Sequence, residues 1–208
     1  MRNKIIFTVL LCFCLIASLC ACGSPSPTDT ADKFLSAVKS GDQKTIKKVY
    51  SGETFDALAS FDSDDSTDDI FDKAMSEKIS QKLLDFDYVL KNEKIKGDKA
   101  TVDVEITTYE LGSVMKEFMS EYITEAFGLI FSNVSDEEME AMANKIFMEK
   151  LDAATEKTYK DSTVINLKKV DGEWKVSEIN DDSNLMNVMC GGIVDAIEDI
   201  NKMFDEWE

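Results

Sequence analysis

The chain has 208 residues, with 23 Lys and Arg, 41 Asp and Glu and no His, for a formal charge of −18 at pH 7. Its only Arg is Arg2, so almost all of its charged chemistry is Lys, Asp and Glu. That excludes a Ser-His-Asp triad, a His-ligated metal and an Arg clamp on phosphate or carboxylate. So acidic a chain is also a poor partner for nucleic acid, whose affinity comes from cations that neutralise phosphates.

Arg2 and Lys4 precede a mostly apolar run from Ile5 to Leu19, the n- and h-regions of a secretory signal. The run falls short of the roughly 20 apolar residues of a spanning helix. Leu19-Cys20-Ala21-Cys22 follows and resembles the lipobox of bacterial lipoproteins, with Leu three residues before the cut, a small Ala just before it and the acceptor Cys after it. The resemblance implies residues 1–22 as a signal peptide with lipobox, and a diacylglycerol thioether on Cys22 with an acylated amine. The membrane is then a partner, reached through lipidated Cys22 from the outer, extracytoplasmic face. An ordinary cut after Ala21 is the alternative, and bulky Leu19 counts against it. Two or more acyl chains anchor stably where one does not.

Of five Cys, four (Cys12, Cys14, Cys20, Cys22) fall in this leader, leaving Cys190 in the body. A buried, inert thiol is expected there, with an intermolecular pair as the other reading. Residues 23–30 hold both prolines, Pro25 and Pro27, and read as a flexible, extended tether. After Cys22 there are 21 Lys against 41 acids, a charge of −20, so no polybasic segment assists the anchor.

Residues 31–208 read as a single α+β domain. Thr28 or Thr30 is expected to cap a helix over 31–40 with Phe34, Leu35 and Val38 on one face, and a short helix over 43–50 turns Ile46, Val49 and Tyr50 inward. Residues 49–72 then hold eight acids and no Lys. As a calcium loop starting at Asp62 the run fails, because Thr67 stands where Gly is needed and Lys73 where Glu is needed. A solvated acidic segment over 53–72 is the simpler reading, with weak divalent binding as the other. Helical spacing resumes over 70–84, with Phe71, Met75, Ile79 and Leu83 every four residues.

Two hairpins are expected next. Strands over 88–95 and 100–109 flank Gly97-Asp98, a Gly-first turn, and strands over 164–170 and 173–179 flank Asp171-Gly172. Together they make a four-stranded antiparallel sheet. Between them lies a long two-helix insertion. In the first helix Val114-Met115, Phe118-Met119, Tyr122-Ile123, Ala126-Phe127 and Ile130-Phe131 recur every four residues as a wide apolar stripe. Ser135 and Glu138 form a capping box for the second helix, which is expected to bury Met139, Met142, Ala143, Ile146, Phe147 and Leu151. The capping role is preferred to the glycosylation match at Asn133. A C-terminal helix over 184–204 sets Met186, Met189, Ile193, Ile197, Ile200 and Phe204 on one side, and Gly191-Gly192 kinks it or packs closely.

The start Phe34-Leu-Ser-Ala-Val-Lys-Ser-Gly-Asp42 and the ending Val170-Asp-Gly-Glu-Trp-Lys-Val176 resemble small bacterial lipoproteins with a cystatin-like, nuclear-transport-factor-two-like domain. That resemblance implies N-terminal helices packed on the sheet, and little about chemistry. The helical insertion departs from the compact version of that fold.

Searches for catalytic constellations find little. Ser36 to Lys39 and Ser113 to Lys116 match S-x-x-K, at the number expected by chance and without S-D-N or K-T-G companions. No phosphate-cradling glycine motif is present, and one Cys without His cannot hold zinc. Helical Met pairs such as Met115/Met119 and Met186/Met189 evoke Cu(I), yet each lies on an apolar stripe and reads as packing. No metal, cofactor or catalytic residue is therefore assigned. Trp174 is expected in the core or, in a cone-shaped sheet, as a lining residue of a ligand pocket. The reading is a membrane-anchored, non-catalytic binding or accessory module for a protein whose identity is open. The alternative is a carrier of a small apolar ligand or lipid, held between sheet and helices.

Overall fold

Ser26 opens the first helix, not Thr28 or Thr30. Its hydroxyl accepts from the Asp29 amide at 3.0 Å while the Asp29 carboxylate accepts from the Ser26 amide at 3.0 Å. This capping box, with Pro27 in the first turn where its missing N–H costs nothing, starts helix α1 at Pro27–Ser40. Thr28 instead donates to Glu93, and Thr30 donates back to the Ser26 carbonyl. The helix therefore takes up half of the stretch expected to be extended. The computed structural model describes residues 24–53, 55, 73–129, 132, 134–180 and 183–205. The expected leader with Cys22, most of the acidic segment 53–72, Phe71, the Ile130-Phe131 pair, Asn133 and Trp207 lie outside the described residues.

Gly41 ends α1 at φ 66, and Asp42 caps α2 at Gln43–Val49. Helix α3 runs Lys73–Leu84. Strands β1 (Asp87–Lys96), β2 (Lys99–Thr108), β3 (Tyr159–Val170) and β4 (Glu173–Val176) form one antiparallel sheet in the order β1-β2-β3-β4. Both turns follow their sequence chemistry. Gly97 alone is left-handed in the first (φ 63), while Asp171 and Gly172 both have positive φ (54 and 85) in the second. β3 starts five residues earlier than expected, and β4 ends three earlier.

β2 shows why the sheet has one dry face. Ala100, Val102, Val104, Ile106 and Thr108 are buried and the residues between them are not. Against that face α1 lays Ala31, Phe34, Leu35 and Val38, and Ile165, Leu167 and Val176 complete the layer. Tyr50 extends it by stacking on Phe34 at 5.7 Å and accepting the Ile179 amide at 2.9 Å. Helices on an antiparallel sheet are the α+β arrangement that the element order implies.

The insertion consists of α4 (Leu111–Leu129) and α5 (Asp136–Ala153), and Ser135 with Glu138 forms the expected capping box of α5. A second core holds the base of this arm. Met75, Ile79 and Leu83 of α3 pack with Leu111, Val114, Phe147, Leu151 and Cys190. Burial thins further out, and the expected burial of the start of α5 fails. Only Leu111, Gly112 and Val114 of α4 are buried, with Phe127 57% exposed, and Met139, Met142 and Ala143 of α5 are half-buried rather than core.

The C-terminal helix is also not continuous. It splits into α6 (Asn184–Met189) and α7 (Ile193–Asp205) because Gly191 and Gly192 take φ 60 and 83, which no residue but Gly adopts cheaply. The same pair is closely packed. Gly112 donates its N–H to the Gly191 carbonyl at 2.9 Å, and a Cβ on Gly191 would fall on the Tyr109 carbonyl. α6 stays with the sheet core through Leu185, Val188 and Met189, while α7 turns away to lie along α4. Ile197 and Phe204, on the apolar side of that segment, are 45% and 49% exposed.

Candidate functional site

The apolar stripe of α4 is two residues wide, so one neighbouring helix cannot cover it. α5 covers one half, where Phe118 meets Phe147 edge-on at 5.3 Å and stacks with Tyr122 at 5.8 Å. The other half carries Met119, Ile123 and Phe127, spaced by four, and faces Ile200, Met203 and Phe204 of α7. Between these rows, with Val134 and Met139 also lining it, runs a half-open groove of about 1080 Å³. Every lining residue belongs to the helical arm, and none to the sheet.

The polar lining is limited to Lys116, Ser120, Tyr122, Thr124, Ser132 and Asp199. Lys116 and Asp199 close one end as an ion pair at 2.7 Å, and Thr124 spends its hydroxyl on the Ser120 carbonyl at 2.8 Å. The pairing with Lys116 holds the Asp199 carboxyl below its ordinary range. A groove of this kind binds by shape and apolar contact.

The arm is also electrically distinct. α4, α5 and α7 together hold four Lys against thirteen acids, a net −9. The four strands hold eight Lys against six acids, a net +2. Three of the four arm Lys are engaged within the arm: Lys116 with Asp199, Lys150 with Glu121, and Lys202 with Glu198 and Asp199.

The residues singled out in sequence do not converge here. Trp174 is buried in the sheet core with Lys169 Nζ 5.0 Å from its ring centroid, and it lines neither this groove nor the smaller polar one beside Ser113 and Lys150. Cys190 is buried, and burial pushes its thiol up to about 11, so it is a packed side chain and not an exposed bridge-former. Of the S-x-x-K pairs, Ser36 meets the Tyr88 hydroxyl at 2.8 Å, which donates on to Asp32 at 2.8 Å, and Lys116 is taken by Asp199. Met115/Met119 and Met186/Met189 pack among aliphatic and aromatic side chains.

A general acid at neutral pH needs a carboxyl whose pKa is raised. Among the described residues, each carboxylate with a clear shift moves down: Asp29, Asp42, Asp85, Glu105 and Asp199, each held by a hydrogen bond first of all. Asp85, for instance, accepts from Lys157 at 2.6 Å, and against the opposing effect of burial it also accepts from Tyr109 at 3.0 Å. Among the described residues no three His, Cys, Asp or Glu gather as a metal site, and no helix is long and apolar enough to cross a membrane.

A family model, the domain of unknown function DUF4878, matches residues 20–123, and the chain belongs to that family. The match spans α1 to α3, the first hairpin and most of α4. A candidate lipoprotein of Bacillus subtilis subsp. subtilis str. 168, YcdA, has a crystal structure that is 17% identical over 60% of this chain, with a TM-score of 0.37. The likeness spans 38% of YcdA's own length. No curated protein matches the chain.

Proposed function

We propose that this DUF4878 protein is an extracytoplasmic lipoprotein, held to the membrane through Cys22, and that its domain is a non-catalytic binding module. The observation that carries the binding role is the groove between α4 and α7, a concave and mostly apolar surface whose one Lys and one Asp pair with each other. Support for the anchor comes from Leu19-Cys20-Ala21-Cys22, placed after a short apolar run and ahead of a body of charge −20, which anionic headgroups repel. The cystatin-like reading draws support from α1 lying across an antiparallel meander that ends in Asp171-Gly-Glu-Trp-Lys-Val176. Nucleic acid is not a partner in this reading, because the arm that presents the groove repels phosphate.

Carriage of a small apolar ligand or lipid is the second reading, favoured by the groove's volume. Its site is then the trough of the arm and not a space between sheet and helices. The anchor is tested by the Cys22→Ala chain, which should leave the membrane fraction after a salt wash while the parent chain stays. A variant that still pellets with membranes sinks the lipidation claim. The binding role is tested by soaking the full chain with an apolar fluorescent dye. Bright emission that Phe127→Asp abolishes supports an accessible groove, whereas emission indifferent to that change counts against it.

A further inference from the structure

We infer that the tip of the sheet's solvent face docks on anionic phospholipid headgroups, through a row of lysines that crosses all four strands. The inference rests on the Cys22 anchor of the proposed function and says how the anchored domain meets its membrane. Its first ground is the strand register. Lys96 lies opposite Lys99, Lys99 opposite Lys168 and Lys168 opposite Lys175, so four like charges stand side by side on the face away from α1. Neighbouring strands lie about 4.8 Å apart, which makes the row about 14 Å long. The next row, Lys94, Thr101 and Asn166, adds a fifth Lys and no acid. Like charges directly opposite one another weaken a sheet. Yet among the described residues none of these five Lys is in an ion pair, in a chain with 41 acids. The acids nearest in position, Asp98, Asp171 and Glu173, sit in or beside the two turns. Farther along the same face the charges are matched, with Glu105 paired to Lys91 at 3.5 Å and to Lys160 at 3.0 Å. Lys often guards an edge strand against aggregation, but Lys99 and Lys168 lie on the two inner strands.

The second ground is where the chain enters the domain. Thr28, in the first turn of α1, donates its amide and hydroxyl to Glu93 at 2.9 and 2.7 Å, and Glu93 directly precedes Lys94. Ser26 caps that helix, four residue steps from Cys22, so the reach between them is at most about 14 Å. A lipidated Cys22 therefore keeps the lysine tip within reach of the headgroups. The arm leaves from the other end of β2, where Thr108 is about 30 Å from Lys99 at the rise of an extended strand. Electrostatic reach in physiological salt is about 8 Å, so the nearest face decides the contact and neither the arm's acids nor the net charge opposes it. Each Lys brought to an anionic surface adds attraction.

The test places the full lipidated chain in nanodiscs of phosphatidylcholine, alone or with phosphatidylglycerol, and follows acetylation of each Lys by mass spectrometry. Lys94, Lys96, Lys99, Lys168 and Lys175 should react at least about threefold slower on the phosphatidylglycerol discs, and high salt should remove the difference. Exposed Lys145 of the arm should react equally on both. Lys99→Glu with Lys168→Glu should return Lys94 to its phosphatidylcholine rate. Equal rates for the five on both discs, with the chain still co-eluting, overturn this inference and leave the anchor intact. Slow reaction on both discs alike shows a cover within the protein and overturns it too. Soluble inorganic polyphosphate that protects the five on phosphatidylcholine discs as well as phosphatidylglycerol does overturns the lipid as occupant. A chain that elutes apart from both discs overturns the anchor and this inference with it.

Discussion

Strand β2 and helix α4 follow one another in the chain and both carry an apolar face, yet they meet very different surroundings. β2 lies between β1 and β3, with α1 across its inner face, so a stripe one residue wide is sealed on every side. α4 carries a stripe two residues wide and lies between α5 and α7, so beyond its first turn its apolar residues are only partly covered. Burial is settled by how much cover an element receives for the width of its stripe, and a helix with apolar residues in adjacent pairs needs more cover than two neighbours provide.

The sharpest way to break this contrast is to remove a large side chain from each region. Phe34→Ala in the sealed core should cost about 4 kcal/mol in denaturant unfolding, because Phe34 is fully buried against Tyr50 and Phe55. Next in size is Gly191→Ala, which adds a Cβ at φ 60 against the Tyr109 carbonyl, and it should cost about 3 kcal/mol. A stability loss below about 1 kcal/mol would show that the junction gives way easily. Cys190 sharpens the boundary between the regions. With its thiol raised from 9.0 to about 11, it should resist a thiol reagent at pH 8 until denaturant is added. The thiol's contribution to stability is present below pH 9 and fades as pH rises toward 11, since the unfolded chain loses that proton first. Smallest is Phe127→Ala on the groove wall, expected within about 0.5 kcal/mol of the parent by the same unfolding measurement. If Phe127→Ala costs as much as Phe34→Ala, the groove is core and the functional reading fails.

Much of the fold was legible before the structure. The alternation of Ala100, Val102, Val104 and Ile106, the Gly97-Asp98 and Asp171-Gly172 turns, and the Ser135/Glu138 box are local signals, and local signals survive folding. Ser26 was missed as a cap because Thr28 and Thr30 sit nearer the first apolar residue, and Pro27 as a helix starter looked like part of a tether. Met139, Met142 and Ala143 read as core for a different reason. Periodicity shows which residues share a face, and says nothing about whether another element arrives to cover that face. The usable signal was the pairing of adjacent apolar residues along α4, wider than a single packing seam. Trp174 likewise read equally well as core or as pocket, because strand position fixes its side of the sheet and not what lies across from it.

The two walls of the groove stand far apart in the chain: the ion pair that closes one end joins residues 83 positions apart. A molecule emerging N-terminus first completes its sheet well before it completes this groove, because α7 comes after β4. The groove is thus assembled from segments on both sides of β3 and β4, and it is complete only once the last helix is in place.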